Sequence, residues 1–302
     1  MNSSGNSQLG ALVTEARNPA SARLDELSTL EMLGVMNDED AKVATAVRAE
    51  LPAVARAVDA IAKRFGEGGR LFYIGAGTSG RIGVLDASEC PPTFSVPADL
   101  VQGLIAGGDR ALRLSSEHSE DSPEEGARDL EAAGFARTDT LVGIAASGRT
   151  PYVLGAVEYA KKLGALTIGL SCVPGSTLAK AAEIAITPAT GAEVLTGSTR
   201  LKAGTATKLV LNMISTGVMV KTGLTYGNLM VNVRPTNAKL VDRAQRIVME
   251  AAGCDRATAE RVLEEAGMDV KTAIVMQRLG LKRAEAAKKL VETKGILRIA
   301  LG

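Results

Sequence analysis

Leu71-Phe72-Tyr73-Ile74-Gly75-Ala76-Gly77-Thr78-Ser79-Gly80 is the stretch on which the fold turns. Four consecutive large apolar residues read as a short buried strand. They run straight into Gly75-x-Gly77-x-x-Gly80, the spacing of a tight turn that leaves a strand and opens a helix. A dinucleotide site of this kind calls for an acid roughly 20 residues on, at the end of the second strand. Position 95 is Ser95, Asp99 precedes the second apolar run, and Asp109 follows it late. Thr78 and Ser79 instead set two hydroxyls beside helix N-terminal amides, a pairing that suits a phosphomonoester.

Downstream, the apolar runs Leu100–Ala106, Thr140–Ala145, Ala165–Leu170 and Ala185–Thr187 are separated by helical stretches such as Pro151–Leu163, and Leu201–Thr222 reads as a long closing helix. Strands alternating with helices imply an α/β, doubly wound parallel sheet covered on both faces. Upstream, residues 1 to about 40 are a polar lead in which Ser28-Thr29-Leu30-Glu31 has capping-box spacing. Asn37-Asp38-Glu39-Asp40 offers a second helix start before Ala41–Phe65, whose apolar residues recur at helical spacing until Gly66-Glu67-Gly68-Gly69. After about Asn237 the strands stop. Lys239–Ala252, Arg256–Ala266, Val270–Leu279 and Arg283–Glu292 read as helices punctuated by Gly253, Gly267, Gly280 and Gly295. From Arg234 onward Lys plus Arg is 14 and Asp plus Glu is 9, so this helical end carries +5. The expected division is a helical lead (1–56), an α/β domain (57–236) and a helical C-terminal domain (237–302).

Composition removes several classes of function. The 302 residues hold 35 Lys plus Arg against 34 Asp plus Glu, a formal charge of +1, which argues against nucleic acid as the main partner. One histidine, His118, excludes a multi-His metal centre. With no Trp, four Tyr and four Phe, stacking of bases is a poor prospect. Cys90, Cys172 and Cys254 are odd in number and far apart, as reduced thiols are. The first ten residues lack the basic flank and apolar stretch of a signal peptide, and no apolar run approaches the ~20 residues of a membrane span. The reading is a soluble, cytoplasmic protein that engages no membrane.

Two further junctions repeat the chemistry of the first loop. Ala145-Ala146-Ser147-Gly148-Arg149-Thr150-Pro151 leaves a strand, with Pro151 suited to a first helical turn. It offers the hydroxyls of Ser147 and Thr150 and the guanidinium of Arg149, which can clamp an anion bidentately. Thr196-Gly197-Ser198-Thr199-Arg200 precedes the long helix and adds Ser198 and Thr199. Three such loops in one parallel sheet converge on its carboxyl edge, which points to a phosphorylated ligand held by Gly77, Thr78, Ser79 and their counterparts. Two carboxylates stand in contrasting places. Glu89 is expected near the end of the helix that starts after Ser79, because Cys90-Pro91-Pro92 should stop it. The negative end of a helix disfavours an anion, which suits a proton donor. Glu120 precedes Ser122-Pro123-Glu124-Glu125, which reads as the cap and first turn of a helix whose positive end favours an anion, as a base requires.

The loops GAGTSG (75–80) and SGRT (147–150) resemble the sugar isomerase (SIS) domain, a flavodoxin-like fold that binds phosphosugars. Longer stretches carry a closer likeness: YIGAGTSGRIGVLDASECPPTF (73–94), GLIAGG (103–108), GIAASGRTPYV (143–153), TGSTRLKAGTATKLVLNMISTG (196–217) and NLMVNVRPTNAKLVDRA (228–244). Together they resemble the N-acetylmuramic acid 6-phosphate etherase family from about Leu9 to Leu301, with LDASECPP (85–92) setting it apart from ordinary SIS isomerases. The resemblance implies cleavage of a lactyl ether to N-acetylglucosamine 6-phosphate and D-lactate, in a cytoplasmic homodimer that uses no metal or organic cofactor. It implies Glu89 as the acid and Glu120 as the base, with Glu117 the fallback, since Leu114–Ser119 departs from the family's usual sequence and His118 stands where glycine is frequent. Arg81 and Arg149 are the candidates for the lactyl carboxylate. The helical end resembles a small UBA-like bundle. A straight helix sets Glu89 ~15 Å from Ser79, so Glu89 is expected either to serve the phosphate loop of a second subunit or to approach its own by a fold-back. A phosphosugar isomerase and a non-catalytic phosphosugar sensor are the competing readings.

Overall fold

All five apolar runs form strands in the computed structural model, which describes residues 13–114, 118–233 and 235–302. They are β1 (Leu71–Gly75), β2 (Val101–Ile105), β3 (Thr140–Ile144), β4 (Leu166–Leu170) and β5 (Ile184–Ile186). Every pairing is parallel and the order is β2-β1-β3-β4-β5. β1, β3 and β4 are buried at every residue, as a sheet covered on both faces must be. Strand alternation divides the work. Phe72, Ile74 and Leu141 share a core with Leu130, Phe135, Tyr152, Val153 and Val157 from α5 (Pro123–Ala132), α6 (Pro151–Leu163) and the loop after α5. On the opposite face Tyr73 Oη donates to Asp86 of α4 (Gly77–Phe94) at 2.9 Å. Asp86 also accepts from Asn212 and Ser215 of α8 (Lys202–Lys221), at 2.8 and 3.2 Å. Burial pushes the Asp86 carboxyl up, against the pull of these three donors.

By compactness the chain forms two units. One runs to Ser88 and resumes over Asp99–Ser215; the other takes Glu89–Ala98 and Thr216–Gly302. In the first unit, α1 (Thr29–Asp40) opens on the expected capping box, with Ser28 and Glu31 each bonding the other's backbone amide. The second expected start, at Asn37–Asp40, is instead the end of that same helix. The box propagates the helix through it, and the chain turns at Ala41 into α2 (Val43–Ala49) and α3 (Leu51–Gly66), which Pro52 separates. Glu39 is thereby buried, where it accepts from Lys202 Nζ at 2.5 Å and Asn18 Nδ2 at 2.9 Å. A short helix, α7 (Thr177–Ala181), follows β4.

Cys90-Pro91-Pro92 does not stop its helix: α4 continues to Phe94. Proline forfeits an amide bond, but its fixed φ is itself helical, and the turn is sustained by Ser95 N donating to the Pro91 carbonyl at 2.9 Å. The helix ends where Ser95 adopts φ +53. Besides the end of α8 from Thr216, the second unit holds α9 (Ala238–Ala252), α10 (Arg256–Glu265), α11 (Val270–Leu279), α12 (Arg283–Glu292) and α13 (Leu297–Leu301). Asn237, Asp255 and Asp269 cap the first three through side-chain oxygens. Val248, Leu263, Ile274, Leu290 and Leu297 fill their common core. The final helix lies beyond Gly295, the last punctuation the sequence offers, and its buried Leu297 and Ala300 account for it.

Candidate active site

In a parallel sheet ordered 2-1-3-4-5, the chain leaves β1 toward one edge and β3 toward the other, which opens a crevice between their carboxyl ends. A cleft of about 580 Å³ lies there. From the loop after β1 it is lined by Ala76, Gly77, Thr78 and Ser79, and from the loop after β3 by Ala145, Ala146, Ser147, Arg149, Thr150 and Pro151. Glu15, Glu120, Asp121 and Thr199 complete it. The two loops are shaped by glycine at points of contact. A Cβ on Gly80 would stand 2.6 Å from the Gly75 carbonyl oxygen, and one on Gly148, whose φ is +66, 2.3 Å from Ser176 Oγ. α4 starts at Gly77, so its first turn presents amides that have no intrahelical partner. In α6, Pro151 carries no N–H and Val153 N donates to the Thr150 carbonyl at 3.1 Å, which leaves the amide of Tyr152. Hydroxyls, amides and one guanidinium on adjacent loops form a site for an anion with several acceptor oxygens.

The third loop behaves differently. Thr199 lines the cleft and Ser198 does not. The amides of Lys202 and Ala203, which open α8, donate to the buried carboxylate of Glu193, each at 3.0 Å. A protein anion therefore already occupies this helix end, and two helix N-termini face the cleft in place of the three expected.

Glu120 ends a short 3-10 turn (His118–Glu120) and is half-buried. Ser122 caps α5, accepting from Glu125 N at 3.3 Å, with Pro123 in the first turn. α5 is pressed onto α6 where both lack side chains. A Cβ on Gly126 would stand 2.0 Å from the Tyr152 carbonyl oxygen, and one on Gly155 2.1 Å from that of Pro123. Tyr152 Oη donates to Asp129 at 2.5 Å, and burial together with that carboxylate pushes the phenol up. Glu120 is thus tied to the helix that begins at the Arg149–Thr150 loop. Glu117 lies outside the described residues.

Glu89 sits on α4, exposed, and does not line the cleft. Because α4 runs on to Phe94, Glu89 stands five residues before its end. The C-terminal potential fades within the last turn, so the dipole reason for a proton donor at this position lapses. Arg81 is committed elsewhere: Nε and Nη2 donate to the carbonyls of Leu112 and Ala111 at 3.1 and 2.7 Å. Arg149 lines the cleft, as do three carboxylates, Glu15, Glu120 and Asp121. One of these, Glu15, was not legible beforehand: it belongs to a three-residue turn (Val13–Glu15) in a polar lead without periodicity. All three cysteines are free, and burial pushes the Cys172 thiol up to about 12.

The sheet order and the two hydroxyl-bearing loops at the β1/β3 crevice define a SIS-type protein. The SIS domain profile matches residues 113–216, and that of the glucokinase regulatory protein N-terminal SIS domain matches 53–161. Among solved structures, a putative phosphosugar isomerase involved in capsule formation from Bacteroides fragilis shares the fold at TM-score 0.50 and 21% identity, over 66% of this chain and 93% of that one. A phosphoheptose isomerase from Neisseria gonorrhoeae does so at TM-score 0.50 and 18% identity, over 64% of this chain and 100% of that one. An N-acetylmuramic acid 6-phosphate etherase from Aeromonas hydrophila is 58% identical over 289 residues, 96% of this chain and 97% of its own. One from Yersinia pestis is 57% identical over 293 residues, 97% of this chain and 99% of its own. The chain belongs to the N-acetylmuramic acid 6-phosphate etherase family.

Proposed function

We propose that this protein cleaves the D-lactyl ether of N-acetylmuramic acid 6-phosphate, releasing D-lactate and N-acetylglucosamine 6-phosphate, in the recycling of cell-wall amino sugars. The observation that carries the site assignment is that Glu120 shares one cleft with both hydroxyl-bearing loops. Thr78, Ser79, Ser147, Arg149 and Thr150, with Gly77, the opening amides of α4 and the Tyr152 amide of α6, hold the 6-phosphate and orient the sugar. Thr199 borders the same space, and Ser198 supports its loop. An alkyl ether leaves poorly at neutral pH. Ring opening exposes an aldehyde at carbon 1, which acidifies the carbon 2 proton. Glu120 removes that proton as base, and the electron pair expels lactate from carbon 3 as an acid protonates the ether oxygen. Water then adds to carbon 3 of the unsaturated aldehyde.

The acid is Glu89. Its place on α4, outside the lining of the cleft, is reconciled with this role by a homodimer in which Glu89 of the partner subunit completes each site. The helical end is read as a UBA-like bundle, and the functional division remains 1–56, 57–236 and 237–302. No nucleic acid and no membrane takes part, and the enzyme is cytoplasmic; among the described residues no helix is long and apolar enough to cross a membrane.

Lactate release from N-acetylmuramic acid 6-phosphate tests the reading. Wild type should release lactate, and Glu89→Ala and Glu120→Ala should lose at least 100-fold in rate while remaining folded, roughly the contribution of one general acid or base. A folded wild type that releases no lactate sinks the etherase and leaves a phosphosugar isomerase or a non-catalytic phosphosugar sensor. Mixing the two inactive variants should restore about a quarter of wild-type activity if sites are shared across a two-fold dimer. No recovery after subunit exchange returns Glu89 to its own chain's site.

A further inference from the structure

Glu15 is a carboxylate in the cleft that neither the loops nor the elimination chemistry requires. It stands beside the third loop: a Cβ on Gly197 would stand 3.1 Å from Glu15 Oε2, and Gly197 itself has φ +75. Glu15 itself is exposed, on a segment anchored on either side. Thr14 before it is buried, and so is Asn18 after it. Asn18 Nδ2 donates to Glu39 Oε2 and to the Ala192 carbonyl at 2.9 and 3.1 Å, while Asn18 Oδ1 accepts from Ala20 N at 3.0 Å. Glu39 in turn accepts from Lys202 Nζ at the start of α8. Three residues after Glu15 the chain is therefore pinned by Asn18 to α1 and to the segment that leads into the Thr199 loop, and through Glu39 to α8.

An ionised carboxylate only accepts hydrogen bonds. It cannot serve a phosphate, and together with Glu120 and Asp121 it repels one. What satisfies it in a sugar phosphate is the neutral half of the molecule, which carries O–H donors. We propose that Glu15 is a sugar-reading residue, accepting a hydrogen bond from a hydroxyl of the bound phosphosugar and setting which end of the ligand faces the phosphate loops. This rests on the phosphosugar reading of the cleft and not on ether cleavage. Glu15 binds and orients; no proton is transferred through it.

Binding of N-acetylglucosamine 6-phosphate and of inorganic phosphate to the full chain, measured by calorimetry, separates the possibilities. Glu15→Ala should weaken the sugar phosphate at least about tenfold, the scale of one hydrogen bond to a charged group, and leave inorganic phosphate within about twofold. Glu15→Gln, which keeps an acceptor oxygen, should fall between. Retained phosphate binding also reports that the variant is folded. In turnover, kcat/KM should fall by at least about tenfold. Unchanged sugar phosphate affinity in Glu15→Ala overturns the assignment, and so does equal loss of both ligands, which would place Glu15 at the phosphate end. A wild type that releases no lactate yet binds the sugar phosphate through Glu15 would sink the etherase and keep the assignment. An active wild type whose sugar phosphate affinity ignores Glu15 would sink the assignment alone.

Discussion

Glu39 has only 4% of its surface exposed and accepts from two lysines and an amide. Lys202 first, and Lys42 after it, hold its carboxyl down at about 2, against an ordinary 4.5. A carboxylate depressed in the folded state contributes stability that is fully present above its unfolded value and lost as pH falls through the folded one. The chain should therefore lose stability between about pH 4.5 and pH 2. Urea midpoints across that interval should fall steeply for wild type and less steeply for Glu39→Gln, and equal slopes would refute the linkage. Lys202→Met strips the buried partner and should cost about 3 kcal/mol at neutral pH. At this scale the sequence was legible where local rules act alone, as at the Ser28 and Ser122 caps. It was silent at Glu15 and at the Glu39–Lys202 pair, whose members lie 163 positions apart.

Between elements, α5 and α6 meet backbone to backbone at Gly126 and Gly155. Ala at 155 would drive its methyl into the Pro123 carbonyl oxygen, so Gly155→Ala should cost about 1–3 kcal/mol. It should also slow lactate release, because Glu120 hangs from the segment that is pushed away. Gly34 in α1 is the control: nothing lies within 4 Å of its Cβ, and Gly34→Ala should gain about 0.5–1 kcal/mol. Thermal midpoints that move the same way in both variants would contradict this account. The strands were readable because a doubly covered sheet demands unbroken apolar runs, α6 because Pro151 suits a first turn, and α11 and α12 because Gly267, Gly280 and Gly295 punctuate them. The reading failed at Pro91-Pro92, where proline φ is compatible with a last turn, and at Asn37–Asp40, where acidic residues good for starting a helix sit at the end of one already nucleated.

For the whole molecule, product that binds only the folded chain should raise its stability by about 2.7 kcal/mol at 100 times its dissociation constant. At about 2.1 cal/mol/K of unfolding entropy per residue, a 302-residue chain turns that into a rise in melting temperature of about 4 °C. N-acetylglucosamine 6-phosphate should produce it in wild type, and no shift at saturating concentrations would remove the cleft as its site. Fold class and charge balance were legible at this scale because they are sums over many residues. The interleaving of the two units was not, since nothing in 89–98 itself says that it packs with residues beyond 215. That interleaving governs how the protein is made. During synthesis, segment 89–98 leaves the ribosome well before its companions at 216–302 exist, and at 5–20 residues per second it waits roughly 6–24 s. Assembly of the second unit is in effect postponed until translation is nearly over. A nascent chain arrested near residue 215 should display its Pro-Pro segment to proteases, with the Phe94 carbonyl still lacking the Asn232 amide that later donates to it at 2.6 Å.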